Sequence, residues 1–193
     1  MSLILASNSQ IRRSMLEQAG VEFEVRSPSF DEDEAKLGFA GDTQELARAL
    51  AEGKAASVDS RPHDWVVGSD SLVTVDGILY SKPRDRDEAA THLRAFSGRS
   101  MLLTSAVALA RQGQVEWSYV ETARLHWRSL SESFIAAYLD KEWPEVGYCV
   151  GVFRMEGRGV TLFDRVEGSH FTILGMPLLP LLGALRQREV MPS

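Results

Sequence analysis

The stretch SNSQIRRSM places Arg12 and Arg13 where a helix is expected to begin, with the hydroxyls of Ser7 and Ser9 just ahead of them. A helix N-terminus carries roughly half a positive charge, so each added cation costs about 0.3–1 kcal/mol unless an anion is also present. First-turn N–H groups, two hydroxyls and two guanidinium groups together make a site of the kind that holds phosphate. The plainer alternative is a pair of surface arginines that bend away into water. The loop has no glycine and no Lys-Ser or Lys-Thr pair, so it is not a Walker A loop.

Asp70 lies in VVGSDSLVTV, a run so apolar that an ionised carboxylate needs a cation, a metal ion or hydrogen-bond donors beside it. A strand-end aspartate bonded to nearby backbone is the alternative. Asp76-Gly77 is a strong two-residue turn signal that brings Lys82 back toward Asp70. Strict register from that turn pairs Lys82 with Ser71 and Pro83 with Asp70, leaving Asp70 and Lys82 on opposite faces unless a twist or bulge intervenes. Lys54 follows Leu46 and Leu50 at four-residue spacing, on the apolar stripe of a helix; it either snorkels to water or serves a site. Asp31, Glu32, Asp33 and Glu34 read as a solvated loop, one of whose carboxylates can help hold Mg²⁺ or Mn²⁺ beside a phosphate chain. The four histidines show no ligand spacing, and Cys149, the single cysteine, reads as a small buried hydrophobe. No GxSxG or Cys/His arrangement offers an acyl-transfer nucleophile. What remains are the parts for attack of water on a phosphoanhydride: basic groups, an acid to activate water, and carboxylates for a metal.

The elements that must position these groups follow the apolar periodicity. LILA reads as a buried strand feeding a loop and a helix capped by Ser9 and stopped at Gly20. A strand over 22–26 leads into the acidic loop, and TQELARALAEGKAASV reads as a helix capped by Thr43. A hairpin around Asp76-Gly77 ends at Pro83, and Asp85 with Glu88 resembles a capping box for DEAATHLRAF. MLLTSAVALA and VEWSYVETARLHW form a long hairpin around Gln112-Gly113. SESFIAAYLDKEW is a helix capped by Ser131, the glycine-punctuated stretch after it is strand and turn, and an apolar helix starts near Pro177. Strands alternate with helices but hairpins sit among them, so the sheet is expected to be mixed.

The chain has 193 residues and a formal charge of −6. That length suits one domain with a sizeable core, and the acidic balance argues against binding a nucleic-acid polymer, which needs a broad basic surface. No apolar run approaches the ~20 residues of a membrane helix, and LILA is too short for a signal-peptide core, so a cytoplasmic protein is expected.

Several ordered blocks then resemble the Maf nucleotide pyrophosphatases: LILASNSQIRRSMLEQ, FDEDE, LAEGKA, VVGSDSLVTVDGILYSKP, LRAFSGRS and EGRGVTLFDRVEGSHFTILGMPLLPLLGALR. The resemblance spans nearly the whole chain. It implies a single-domain enzyme with a Maf/ITPase-like α/β fold, a central mixed β-sheet with flanking helices and two lobes around a cleft. It also implies cleavage between the α and β phosphates of a nucleoside triphosphate, a divalent metal (Mg or Mn) and, commonly, a homodimer. By the same resemblance Asp70 matches the proton acceptor, Ser7, Ser9, Arg12, Lys54 and Lys82 match phosphate-side residues, and Arg13 matches a less constrained basic position. Glu32 matches the acidic position tied to metal and water, with Asp70 beside it as a metal ligand.

The run at Met155 to Gly157 is most similar to the subgroup acting on 7-methyl-GTP. At three positions associated with substrate choice that subgroup has tryptophan, glutamine and glutamate; this chain has Ile11, Ser71 and Glu156. The missing tryptophan removes a surface for stacking a cationic base. Further departures are Gln10 for a proline, Ser81 for a glycine, and Leu103-Thr104-Ser105 for tyrosine-threonine-glycine. The rival functional reading is a non-catalytic nucleotide-binding regulatory or interaction protein of the same fold, set against which are the retained Asp70, Lys82 and Lys54. A sequence-specific DNA-binding protein finds no basic recognition helix.

Overall fold

The structure, a computed structural model, describes residues 2–192. In chain order its strands are β1 (Leu3–Ala6), β2 (Glu24–Arg26), β3 (Trp65–Val75), β4 (Ile78–Tyr80), β5 (Ser100–Arg111), β6 (Gln114–Trp127) and β7 (Phe163–Glu167). Its helices are α1 (Gln10–Gln18), α2 (Glu32–Lys36), α3 (Thr43–Ala56), α4 (Arg86–Phe96), α5 (Glu132–Glu142), α6 (His170–Ile173) and α7 (Leu178–Gln187). The sheet order is β2-β1-β3-β5-β6-β7, with β4 paired to β3. β1 runs parallel to β2 and β3, while β3–β4 and β6–β7 are antiparallel, so the sheet is mixed as the interleaved hairpins require. Asp76 and Gly77, and again Gln112 and Gly113, all have positive φ, the two-residue turn that matches the twist of paired strands.

The chain divides into two compact units. The first comprises the chain up to Ser71, Thr104–Glu121 and everything from Ser169 on. Its β1 is buried on both faces, as a parallel strand flanked by helices must be. Leu3 and Leu5 join Met15, Leu16, Trp65, Val67, Leu181 and Leu185 in one cluster, the α1 and α7 side, while Ile4 and Ala6 join Val58 and Val66 on the other side. Strand alternation therefore sorts β3 as well: Ser69 and Ser71 continue the row of Trp65 and Val67, and Asp70 continues the row of Val66 and Gly68.

The second unit, Leu72–Leu103 with Thr122–Gly168, is built on aromatic rings. Tyr80 meets Phe96 edge-on at 4.8 Å between centroids, Phe96 lies 5.1 Å from Trp127, and Trp127 and Phe153 both pack on Phe163, at 4.9 and 5.0 Å. Edge-on and tilted pairs of this kind suit the ring quadrupoles.

Several local expectations need correction. Asp42, not Thr43, caps α3, in a reciprocal capping box with Glu45. The acidic run is not loop throughout: Asp31 caps α2 by accepting from Asp33 and Glu34 N–H groups, and Glu32, Asp33 and Glu34 fill its first turn, where the helix dipole favours anions. Ser9 is the N-cap residue of α1 but its side chain bonds no first-turn N–H. The glycine-punctuated segment holds two 3₁₀ turns, Glu145–Tyr148 and Arg158–Leu162, before its one strand. The β3–β4 register is the expected one, with Val75 opposite Ile78, but pairing stops at Val73 and Tyr80, so it does not extend to Lys82.

Candidate functional site

Two glycines set the separation of the charged side chains in the first unit. A Cβ at Gly68 of β3 would fall 2.2 Å from the Ala51 carbonyl oxygen and 2.5 Å from the Ala55 nitrogen, so only glycine lets α3 lie this close to the strand. A Cβ at Gly53 would fall 2.3 Å from the Phe30 ring, which lies against α3 two residues before the start of α2. The first approach brings Lys54 to Asp70; the second brings Glu32 to Lys54.

The result is a triad of charge. Lys54 Nζ lies 2.5 Å from Asp70 Oδ1 and 2.8 Å from Glu32 Oε1. The side chains of Lys54 and Asp70 are only 7% and 8% exposed, which rules out a snorkelling lysine, while Glu32 reaches 41%. An ammonium between two carboxylates at these distances offsets the cost of burying Lys54 and Asp70.

Arg12 approaches from the other side of the strand end. Its Nε donates to the Gly175 carbonyl at 2.8 Å and its Nη2 to Ser71 Oγ at 3.1 Å. It is a half-buried, tethered side chain rather than one bent away into water. Desolvation pulls its pKa below the ordinary arginine value, and the negative charges of Asp70 and Glu32 push it back up; the guanidinium stays protonated. Five N–H donors minus the two tethers leave three, two on Nη1 and one on Nη2, with no protein hydrogen bond among the described residues.

Of the other residues singled out from sequence, Ser7 is buried at the end of β1 and its Oγ accepts the Ser9 N–H at 3.2 Å. Ile11 and Ser9 are half-buried at the start of α1. Arg13 is not brought to Arg12: it borders a shallow surface hollow with Glu17, Val21, Phe23 and Val25. Ser71 is committed to Arg12 and, at 2.8 Å, to Ser105. Lys82 and Glu156 belong to the second unit, both exposed and both near enough to influence the Cys149 thiol. Burial raises that thiol to about 11, with the Glu156 charge adding to the effect, so Cys149 is inert as a nucleophile.

Sequence reasoning missed Ser69, Gly175 and the role of Ser105. Ser69 Oγ donates to Ala106 O at 2.7 Å, with Gly175 O at 3.1 Å. Gly175 has φ +105°, and a Cβ there would stand 3.2 Å from Ser71 Oγ. Only the glycine in ILGMP, a residue type that tolerates positive φ, signalled that position.

Among the described residues, no group of three or more His, Cys, Asp or Glu side chains converges as a ready-made metal centre. Glu32 and Asp70 nonetheless aim oxygens at one point, the Lys54 ammonium. Two convergent carboxylates suit a hard divalent cation that takes its other ligands from phosphate and water. Carboxylates, an ammonium and an arginine with open donors together suit a polyanion bound beside an acid-base group. No helix among the described residues is long and apolar enough to cross a membrane.

Comparison with known proteins gives a family match to Maf-like protein over residues 2–188. The nucleoside triphosphate pyrophosphatase of Granulibacter bethesdensis is 45% identical over 99% of both chains. The 7-methyl-GTP pyrophosphatases of Rhizobium etli and Rhizobium meliloti are 44% and 45% identical, over 96% of this chain and 95% of theirs. The Staphylococcus aureus Ham1 structure aligns over 98% of this chain and 100% of its own, at 16% identity and a TM-score of 0.49, a likeness that adds nothing to the family match.

Proposed function

The chain belongs to the Maf family, and from that premise we propose that it is a nucleoside triphosphate pyrophosphatase, a hydrolase that cuts the α-β phosphoanhydride to give a nucleoside monophosphate and pyrophosphate and so clears unwanted nucleotides. The observation that carries this reading is the joint placement of Arg12, Lys54, Glu32 and Asp70 in one unit, from four separate elements or their edges. Full-length relatives named as pyrophosphatases support it.

The residues divide the work by charge. Asp70 takes a proton from water as the water oxygen bonds to the α-phosphorus; the bond from that phosphorus to the bridging oxygen breaks, and its electron pair leaves with pyrophosphate. The three open N–H donors of Arg12 and the Lys54 ammonium face the charge that builds on the departing oxygens. Glu32 keeps Lys54 placed and, with Asp70, would hold a divalent cation. Bound there, Mg²⁺ or Mn²⁺ would neutralise phosphate charge and polarise the α-phosphoryl group.

Relatives named for 7-methyl-GTP and those named for nucleoside triphosphates in general are equally similar to this chain. The test is therefore a panel: GTP, 7-methyl-GTP, dTTP and UTP with Mg²⁺ or Mn²⁺, assayed for pyrophosphate and orthophosphate separately. Pyrophosphate with monophosphate is the expected outcome. Orthophosphate alone, or no product from any member, overturns the proposal.

A further inference from the structure

Arg12 is held by an arrangement of hydroxyls whose shortest contacts select one set of proton positions. The Gly175 carbonyl oxygen lies within hydrogen-bond reach of three donors, Arg12 Nε at 2.8 Å, Ser71 Oγ at 3.0 Å and Ser69 Oγ at 3.1 Å. Two lone pairs cannot serve three donors. Ser69 has a shorter alternative in the Ala106 carbonyl at 2.7 Å, and Ser71 has one in Ser105 Oγ at 2.8 Å. Ser105 is free to accept because its own proton goes to the Thr172 carbonyl, also at 2.8 Å. Each hydroxyl then donates once, the Gly175 oxygen is left to the guanidinium, and a Ser71 lone pair faces Arg12 Nη2.

The consequence is directional. Nε and the adjoining hydrogen of Nη2 form the side edge of the guanidinium, and both are tethered, which leaves the end edge made by Nη1 and Nη2, a two-pronged fork, with no protein hydrogen bond among the described residues. That fork is the geometry that grips a phosphate through two parallel bonds. Ser105 is fully buried, and among the described residues its hydroxyl bonds Ser71 Oγ and the Thr172 carbonyl, so its link to Arg12 passes through Ser71.

We propose that Ser105 is a positioning residue for the phosphate site: by accepting the Ser71 proton it reserves the Gly175 carbonyl for Arg12 and fixes the arginine fork in its binding orientation. The proposal deepens the pyrophosphatase reading and rests on it. Without the Ser105 hydroxyl the Ser71 proton turns to Gly175, whose oxygen then divides its acceptance between Ser71 and Arg12 Nε and holds the guanidinium less tightly. The fold has no orphan to bear, because the Thr172 carbonyl still accepts the Gly175 N–H at 3.0 Å.

A double-mutant cycle tests this, read as the dissociation constant of an α,β-methylene GTP analogue with Mg²⁺ by calorimetry. Ser105→Ala should weaken binding about fivefold in the otherwise native protein, the scale of one net hydrogen bond. In an Arg12→Lys background, where no fork remains to be oriented, the same change should cost less than about twofold. An equal factor in both backgrounds, or none in the native one, overturns the proposal. Thr172→Val removes a hydroxyl that donates to Glu121 in the same layer; it should lower the melting temperature with no Arg12-dependent change in affinity. Should Ser105→Ala fail to fold, Ser105→Cys, with a weaker acceptor of similar size, enters the same cycle. If the native protein binds the analogue but shows no coupling, only the positioning role falls; if it neither binds the analogue nor releases pyrophosphate from any triphosphate, the pyrophosphatase reading falls first.

Discussion

Each unit buries a carboxylate against cations, and the two do so to different ends. In the second unit Glu142 is 5% exposed; its Oε2 accepts from both Nε and Nη2 of Arg154, at 3.3 and 2.9 Å, and Arg158 stands 3.9 Å from Oε1. The arginine spends its side edge, Nε and Nη2, on a carboxylate oxygen, so charge meets charge within the protein. In the first unit Arg12 spends the same edge on neutral partners, the Gly175 carbonyl and the Ser71 hydroxyl, and Lys54 holds two carboxylates together that would otherwise repel. Burial of charge is common to both. What separates the two arginines is the charge of what tethers them: Arg154 grips the carboxylate that neutralises it, whereas the direct tethers of Arg12 carry no charge.

The sharpest break of this contrast is Asp70→Asn. It keeps the shape and removes the base, so pyrophosphate release should fall by roughly a thousandfold or more while the thermal melt still shows a cooperative fold. Retained turnover would move the proton transfer elsewhere. Next in size is Lys54→Met, which leaves Asp70 and Glu32 facing each other without their ammonium. Unfolding free energy should drop by about 3 kcal/mol, as for other broken buried pairs, and turnover should fall with it; urea denaturation and the product assay together read both.

In the second unit Arg154→Met should match that loss of stability, about 3 kcal/mol at most, because Glu142 is at least as buried as Asp70. Its KM should stay within twofold of the parent. A matching rise in KM would erase the distinction between the two clusters.

The smallest effect concerns pH. Burial among Tyr80 and Phe96 lowers the His92 pKa, only partly opposed by Glu88. The unfolded chain then binds a proton at higher pH than the native one, so stability falls as pH drops below about 6.5. His92→Phe should flatten that part of the stability curve measured between pH 7 and 5. An unchanged slope would assign it to other groups.

The contrast also shows what the sequence made legible. Apolar period and turn chemistry are local, so both hairpins, the Ser131 cap of α5 and the end of α1 near Gly20 are readable from short windows. The α2 helix was not, because five residues are too few for an apolar stripe; only the Asp31 cap and the first-turn acids favour it. Lys54 was visible as an anomaly on an apolar face, yet whether it snorkels or pairs depended on Gly68 admitting α3 against β3, a contact between elements far apart in the chain. Ser71 and Ser105 are 34 positions apart and meet only because β3 and β5 are neighbours in the sheet. Serine carries no signal of its own for such a bond. Glu142 was passed over because nothing in AYLDKEWPE distinguishes a buried acid from a solvated one.

The central claim is that the open donors of Arg12 exist for a polyphosphate. Its most direct measurement is the affinity of the native protein and of Arg12→Ala for a non-hydrolysable triphosphate, side by side at one salt concentration. A loss of about 1.5–3 kcal/mol, the worth of a hydrogen bond to a charged group, is the predicted result, and equal dissociation constants for the two proteins would contradict it.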